Sequence, residues 1–237
     1  MRRPWSVLAL LLALPASACF VDGKNLTSGT TTDATGETSG ASISSTSAAA
    51  SSTGEGSTTG AGEKKTVIVE IANGTSDALQ NPGGQTLVDF NWITLNSPDH
   101  YGGLRFTLPE IPQGATITNA QLQLYIDGAD TDSPRLEIYG ELSPTPAIFS
   151  EALFDISSRP PTGASVLWED DDLGMGWTTS PSLTPVLQEL VDQENWLPGQ
   201  SIVLILDATF EAADIPFEFR QSEYVGFAPK LGIEYLE

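Results

Sequence analysis

The alternation of apolar and polar residues within residues 101–126 restricts the folds open to this chain more than any other feature. Leu104, Phe106 and Leu108 alternate with polar residues, and a second alternating run extends from Ala120 to Ile126. A period of two residues is typical of a β-strand with one buried face. Two prolines and a glycine break the chain between the runs. Each predicted strand needs a second layer over its apolar face, which favours a layered β protein.

Further short runs separated by turn residues predict the remaining strands. A helix is predicted at about 183–194, with Thr184 as N-cap and Pro185 at the first helical position. Eight or nine short strands with one short helix predict an all-β fold, an antiparallel β-sandwich of jelly-roll type. An immunoglobulin-like sandwich is the alternative, but the chain lacks its Cys…Trp…Cys spacing. The other predicted strands cover residues 66–71, 85–95, 135–141, 166–168, 201–206, 217–221 and 231–236.

Residues 1–18 have the pattern of a secretory signal peptide. Two arginines precede an apolar run that is too short to cross a bilayer, and small residues lead up to Cys19. This run resembles a bacterial lipobox. The resemblance implies cleavage before Cys19 and acylation of Cys19, and Phe20 in place of Asp implies an outer membrane lipoprotein facing outward. A plain signal peptide and a secreted protein are the alternative.

A tract rich in Ser, Thr, Gly and Ala follows the cysteine and has almost no large apolar residues. This composition predicts a lipidated N-terminus and disordered tether over residues 19–62, followed by one folded domain at 63–237. The chain has a formal net charge of −21. Such acidity argues against nucleic acid and an anionic membrane surface as partners, so membrane contact is expected only through the lipid anchor.

The sequence carries no signature of a catalytic centre. The one histidine, His100, lies in a predicted turn, and no G-x-S-x-G motif accompanies it. A histidine-based zinc site lacks ligands. A carboxylate-based hydrolase stays open as an alternative, because acidic residues are plentiful. The prediction is therefore a protein without catalytic residues and without a certain cofactor.

Two acidic turns provide candidate ligands for calcium, which prefers several oxygen atoms on a bent loop. Neither turn has the spacing of an EF-hand, and charged turns that resist aggregation are the alternative. The candidate metal ligands are Asp127, Asp130 and Asp132 in the first turn and Glu169, Asp170, Asp171 and Asp172 in the second.

Exposed aromatic residues provide candidate contacts to a glycan. Tyr125 and Tyr139 are predicted on the outer faces of neighbouring strands, with Arg135 beside them. Trp177 is predicted to lie on a loop. Aromatic faces flanked by hydrogen-bonding groups suit carbohydrate, although a cross-strand aromatic pair can equally stabilise a sheet.

Several short segments occur in an order that resembles a group of bacterial secreted domains. The segments are GLRF at 103–106, IPQGATI at 111–117, ISSR at 156–159, ASVLW at 164–168, LQELV at 187–191 followed by Trp196, and APKL at 228–231. With them, residues 101–237 resemble the disaggregatase-related, DNRLRE-type jelly rolls, whose wider kin includes carbohydrate-binding modules.

The resemblance implies binding of extracellular polysaccharide or cell-surface glycan. The lipobox, tether and single domain together resemble surface proteins of myxobacteria. We therefore predict a non-enzymatic lipoprotein for adhesion or polysaccharide binding, with a structural envelope protein lacking a small ligand as the alternative.

Overall fold

The computed structural model describes residues 62–127, 135–170, 173–208 and 216–237, which form twelve β-strands and one helix. In chain order the elements are β1 Lys64–Glu70, β2 Asp77–Gln80, β3 Thr86–Leu87, β4 Trp92–Leu95, β5 His100–Thr107, β6 Thr116–Ile126, β7 Arg135–Glu141, β8 Pro161–Glu169, β9 Gly176–Thr179, α1 Thr184–Val191, β10 Ser201–Ala208, β11 Phe217–Arg220 and β12 Lys230–Leu236.

The strands form two main sheets that face each other. The four-stranded sheet has the order β1-β12-β6-β9, and the six-stranded sheet has the order β3-β2-β5-β10-β7-β8. Strands β4 and β11 form a separate two-stranded sheet, and the pairings are antiparallel. The chain crosses repeatedly from one main sheet to the other, as in a jelly roll. This arrangement confirms the predicted antiparallel β-sandwich with a single short helix.

The core lies between the two main sheets. Leu104 and Phe106 of β5 and Leu122 and Leu124 of β6 are fully buried in one cluster. The alternating runs of residues 101–126 therefore supply both layers of the sandwich, because β5 and β6 lie in opposite sheets. Burial of these apolar faces is the dominant contribution to the stability of such a fold.

Strand β10 is the central strand that its apolar composition predicts. It pairs with β5 on one side and β7 on the other, and its inward side chains join the main core. On its outer face, Val203 and Ile205 pack with Phe149 and Ile156 from the loop between β7 and β8. This loop covers part of the outer face of the six-stranded sheet.

A buried ion pair holds that loop in place. Arg159 is 8% exposed, and its Nη1 lies 2.7 Å from Glu141 Oε2 and 2.9 Å from the Ala147 carbonyl oxygen. Its guanidinium also lies 4.4 Å from the centre of the Phe149 ring. Breaking one partner of such a pair leaves a buried charge, so the loop is held firmly.

The predicted strands differ from the observed strands in detail. The single strand predicted at 85–95 is two strands, β3 and β4, because Asp89 adopts a left-handed conformation with φ 64° that interrupts the extended chain. Strand β2 was not predicted, since its four residues are buried on both faces and show no alternation. Alternation of apolar and polar residues identifies only strands that have one buried and one exposed face.

The helix is shorter than predicted and begins differently. Helix α1 spans Thr184–Val191, and its N-cap is Leu183 without a side-chain hydrogen bond, not Thr184. Its apolar side is buried as expected. No helix in the described residues is long and apolar enough to cross a membrane.

Gly103 provides a test of how the loop packs on the sheet. A Cβ at Gly103 would lie 2.5 Å from Phe149 Cζ, whereas one at Gly232 would meet nothing closer than Gln121 O at 3.9 Å. We expect Gly103→Ala to lower the free energy of unfolding by about 1–3 kcal/mol through overpacking. The matched variant Gly232→Ala should not lower it. Urea unfolding measures both, and equal midpoints for the two variants would contradict the packing of Phe149 on Gly103.

Candidate functional site

Exposed and half-buried aromatic side chains form a strip on the outer face of the four-stranded sheet and the adjoining loop. Trp177 of β9 lies opposite Tyr125 of β6, with 5.5 Å between ring centres in an edge-on arrangement. Phe227 lies 4.1 Å from Tyr125, and Tyr224 lies 5.6 Å from Phe227. Trp177 is 43% exposed and Tyr224 is 40% exposed. We call these four residues the aromatic strip.

Arg220 holds one end of the aromatic strip. Its guanidinium lies 3.3 Å from the centre of the Trp92 ring and 3.8 Å from that of Tyr224. Its Nε donates a hydrogen bond to Asp127 Oδ2 at 2.7 Å. Contact with two rings and a carboxylate leaves the guanidinium little freedom, so Tyr224 is positioned against the two-stranded sheet that carries Arg220 and Trp92.

A polar groove adjoins the aromatic strip on the same face. Gly232 of β12 lies between Ile68 of β1 and Gln121 of β6, and its missing side chain leaves a groove of about 170 Å³. Asn119 and Gln123 also line this groove. Side-chain amides supply both donors and acceptors, as the hydroxyl groups of a sugar require.

The charges on this face are paired, although the chain as a whole is strongly acidic. Lys230 Nζ lies 2.7 Å from Glu70 Oε1, and Lys64 Nζ lies 2.9 Å from Glu234 Oε2. Lys230 Nζ also lies 4.6 Å from the centre of the Trp177 ring. The face therefore combines aromatic rings and amides with little net charge, which suits an uncharged polar ligand.

The structure brings together two of the four predicted glycan-binding residues. Tyr125 and Trp177 meet in the aromatic strip, but Trp177 lies in strand β9 and not on the predicted loop. The prediction that Tyr125 and Tyr139 lie on neighbouring strands is wrong, because β6 and β7 belong to opposite sheets. Tyr139 and Arg135 both lie on β7, away from the strip.

Phe227 and Tyr224 were missed because they lie in turns and follow no strand period. Their only sequence signal is two aromatic residues spaced three apart beside Gly226, in a stretch that follows Arg220. The contacts between β6, β9 and this turn depend on the tertiary fold, which the alternation of apolar residues does not specify.

Tyr139 lies in a second polar cluster on the six-stranded sheet. Asp207 of β10 lies opposite Glu137 of β7 and Tyr101 of β5. Burial, together with the charges of Glu137 and Asp99, raises the pKa of Asp207 to about 6. Burial also raises the pKa of Tyr139. Asp207 is only 9% exposed, whereas Glu137 is half-buried.

His100 is the first residue of strand β5, directly after the turn in which the sequence places it. Its Nδ1 is 2.8 Å from Ser97 Oγ, and its backbone N–H donates to the carbonyl oxygen of the same serine. Burial lowers the pKa of His100. These contacts are local to the turn and hold its backbone.

The predicted calcium ligands fall into two groups. Asp127 pairs with Arg220. Glu169 lies opposite Arg135 in the register of β7 and β8, and Asp170 directly follows β8. Within the described ranges, no three His, Cys, Asp or Glu side chains are grouped as metal ligands. Calcium binding stays a prediction, because Asp130, Asp132, Asp171 and Asp172 lie outside the described residues, as do Cys19, the signal segment and most of the tether.

A buried carboxyl group lies beneath the turn that carries Tyr224 and Phe227. Asp77 is fully buried, and its Oδ2 accepts a hydrogen bond of 2.7 Å from the backbone N–H of Ser222. Burial, together with the charges of Glu223 and Asp89, raises the pKa of Asp77 to about 7 against the opposing effect of that hydrogen bond. The protonation of Asp77 is thus linked to the turn of the aromatic strip.

No protein-family model matches this chain, and no curated protein sequence matches it. The resemblance to the DNRLRE-type jelly rolls therefore stays a prediction. The candidate site rests on the geometry of the aromatic strip and the groove.

The raised pKa of Asp77 predicts how stability depends on pH. Between its ordinary pKa of 3.8 and about 7, the folded protein holds a proton that the unfolded chain releases. The proton held by Asp77 therefore makes the free energy of unfolding fall as the pH rises from about 4 to about 7. Asp77→Asn keeps an acceptor for Ser222 and removes the titration, so we expect a higher Tm than the wild type at pH 8 and a weaker dependence on pH.

The measurement is the Tm of each protein between pH 5 and pH 8, by circular dichroism. Glu110→Gln, at an exposed carboxylate, is the matched control and should follow the wild-type curve. An Asp77→Asn curve parallel to the wild type would show that Asp77 does not titrate in this range.

Proposed function

We propose that this protein is a surface-anchored lipoprotein without catalytic activity that binds extracellular polysaccharide or cell-surface glycan. The observation that carries the proposal is the partly exposed aromatic strip beside an amide-lined groove on one sheet face. Aromatic rings stack on the apolar faces of sugar rings, and nearby amides bind their hydroxyl groups. The aromatic rings supply affinity for a sugar, and the amides set its orientation on the sheet.

The length of the face favours a chain of sugar residues over a single sugar. Tyr125, Gln123, Gln121 and Asn119 point to the same side of β6, at every second residue. At about 3.4 Å per residue, they extend for about 20 Å. The paired charges of Lys230 and Lys64 favour a neutral glycan.

The aromatic strip can be tested by substitution once a glycan array has identified a ligand. We expect Trp177→Ala and Tyr125→Ala each to weaken binding about tenfold. Each removes a stacking contact, and its loss costs more than about 1 kcal/mol of binding free energy. Isothermal titration calorimetry measures the affinity. Phe154→Ala removes an aromatic ring of similar exposure, 49%, beside Tyr101 on the six-stranded sheet, and should bind as the wild type does.

Gly232→Val separates binding from stability in the same experiment. A β-branched side chain suits a strand, and the space above Gly232 is open, so the Tm should not fall. The valine would fill the groove, and glycan binding should be lost. Wild-type affinity in Gly232→Val would exclude the groove from the site, and the absence of any ligand on the array would favour a structural envelope protein.

Anchoring through Cys19 is the second part of the proposal. It rests on the lipobox-like run and on Cys19 being the only cysteine in the chain. The wild-type protein should incorporate labelled fatty acid and remain in the membrane fraction, whereas Cys19→Ser should do neither. Equal labelling of both proteins would contradict acylation at this residue.

A further inference from the structure

A cleft on the six-stranded sheet, remote from the aromatic strip, presents an arginine side chain. The cleft has a volume of about 410 Å³ and lies where β5 and β10 meet the loops at 144–146 and 199–200. Its polar lining comes from Arg105, Gln200, Ser201 and Thr145, and two prolines complete the wall. A cleft of this size accommodates a small ligand such as one sugar residue.

Arg105 points away from the core, since its neighbours Leu104 and Phe106 are the buried residues of β5. Its Nε donates a hydrogen bond of 3.1 Å to the Pro146 carbonyl oxygen, which fixes the direction of the guanidinium. In the part of the chain that the structure describes, no carboxylate forms an ion pair with Arg105. Its two terminal amino groups are the strongest donors in the cleft.

An arginine without a carboxylate partner among the described residues is unusual within such an acidic chain. Most of the other described cations have a carboxylate within 4 Å, namely Lys64, Lys65, Arg159, Arg220 and Lys230. With 31 acidic residues in the sequence, an intramolecular partner for Arg105 would be easy to supply. A cation without such a partner at the wall of a cleft is suited to an anion from outside the protein.

The rest of the wall also favours a ligand that accepts hydrogen bonds. Gln200 Oε1 already accepts a hydrogen bond of 3.0 Å from the Leu197 N–H, and its Nε2 is a buried atom without an acceptor among the described residues. Ser201 Oγ lies 2.9 Å from Thr107 Oγ1. Hydroxyl groups beside a guanidinium fit a ligand that carries both a carboxylate and hydroxyl groups.

We propose that this cleft binds a sugar residue carrying a carboxylate, as in a uronic acid, with the carboxylate on the guanidinium of Arg105. A planar carboxylate matches the two parallel N–H groups of an arginine. The net charge of the protein does not prevent this contact, because charges more than about 8 Å apart are screened at physiological ionic strength. The cleft is separate from the sheet face proposed for neutral glycan, so an experiment can disprove one site and leave the other standing.

The test uses the full chain and two matched probes, methyl glucuronide as its sodium salt and methyl glucoside, at equal ionic strength. Saturation-transfer NMR and calorimetry measure binding. We expect the wild type to bind the glucuronide and not the glucoside at this cleft. Arg105→Gln should weaken glucuronide binding at least tenfold, and Arg105→Lys should weaken it less, because lysine keeps the charge without the planar fork.

Lys65→Gln, which removes one positive charge on the four-stranded sheet, is the control and should bind the glucuronide as the wild type does. Sodium acetate tests whether a free anion suffices, and acetate binding as tight as that of the glucuronide would overturn recognition of the sugar. Wild-type affinity in a folded Arg105→Gln variant, or no glucuronide binding by the wild type, would overturn the site itself.

Discussion

The burial of one apolar face of each sheet against the other is the interaction on which the rest of this structure depends. Leu104 and Phe106 of one sheet and Leu122 and Leu124 of the other are all fully buried in the same core. Because the inner faces are filled with side chains, ligands can be bound only on the outer faces, at the edges and in the loops. Every candidate site in this protein lies there.

The two outer faces differ because the chain covers one of them. The loop between β7 and β8 packs Phe149 and Ile156 on the six-stranded sheet and is held by the buried ion pair of Arg159 and Glu141. A cleft beside Arg105 stays open there. On the four-stranded sheet the amides of β6 and the aromatic strip are half-buried to exposed along the outer face, which makes this face the larger candidate surface.

The protein accommodates its acidic side chains in two ways, by ion pairs at the surface and by protonation where they are buried. On the four-stranded sheet, Lys230 and Lys64 pair with glutamates, so a strongly acidic chain still presents a nearly neutral surface. Elsewhere carboxyl groups are buried, and burial raises the pKa of Asp77 to about 7 and of Asp207 to about 6. Neutral protonated forms are stabilised where the protein removes water from an acid without supplying a cation.

The sequence by itself determined which residues of most strands are buried, because the side chains of a strand alternate between its two faces wherever that strand lies. It therefore predicted the sandwich, the buried face of β6 and the outward direction of Tyr125. Only the tertiary structure decided the neighbours of Tyr125. Alternation is the same for every possible pairing of strands, so it cannot show that β6 lies beside β9 and that β7 lies in the other sheet. Trp177, and not Tyr139, is for that reason the partner of Tyr125.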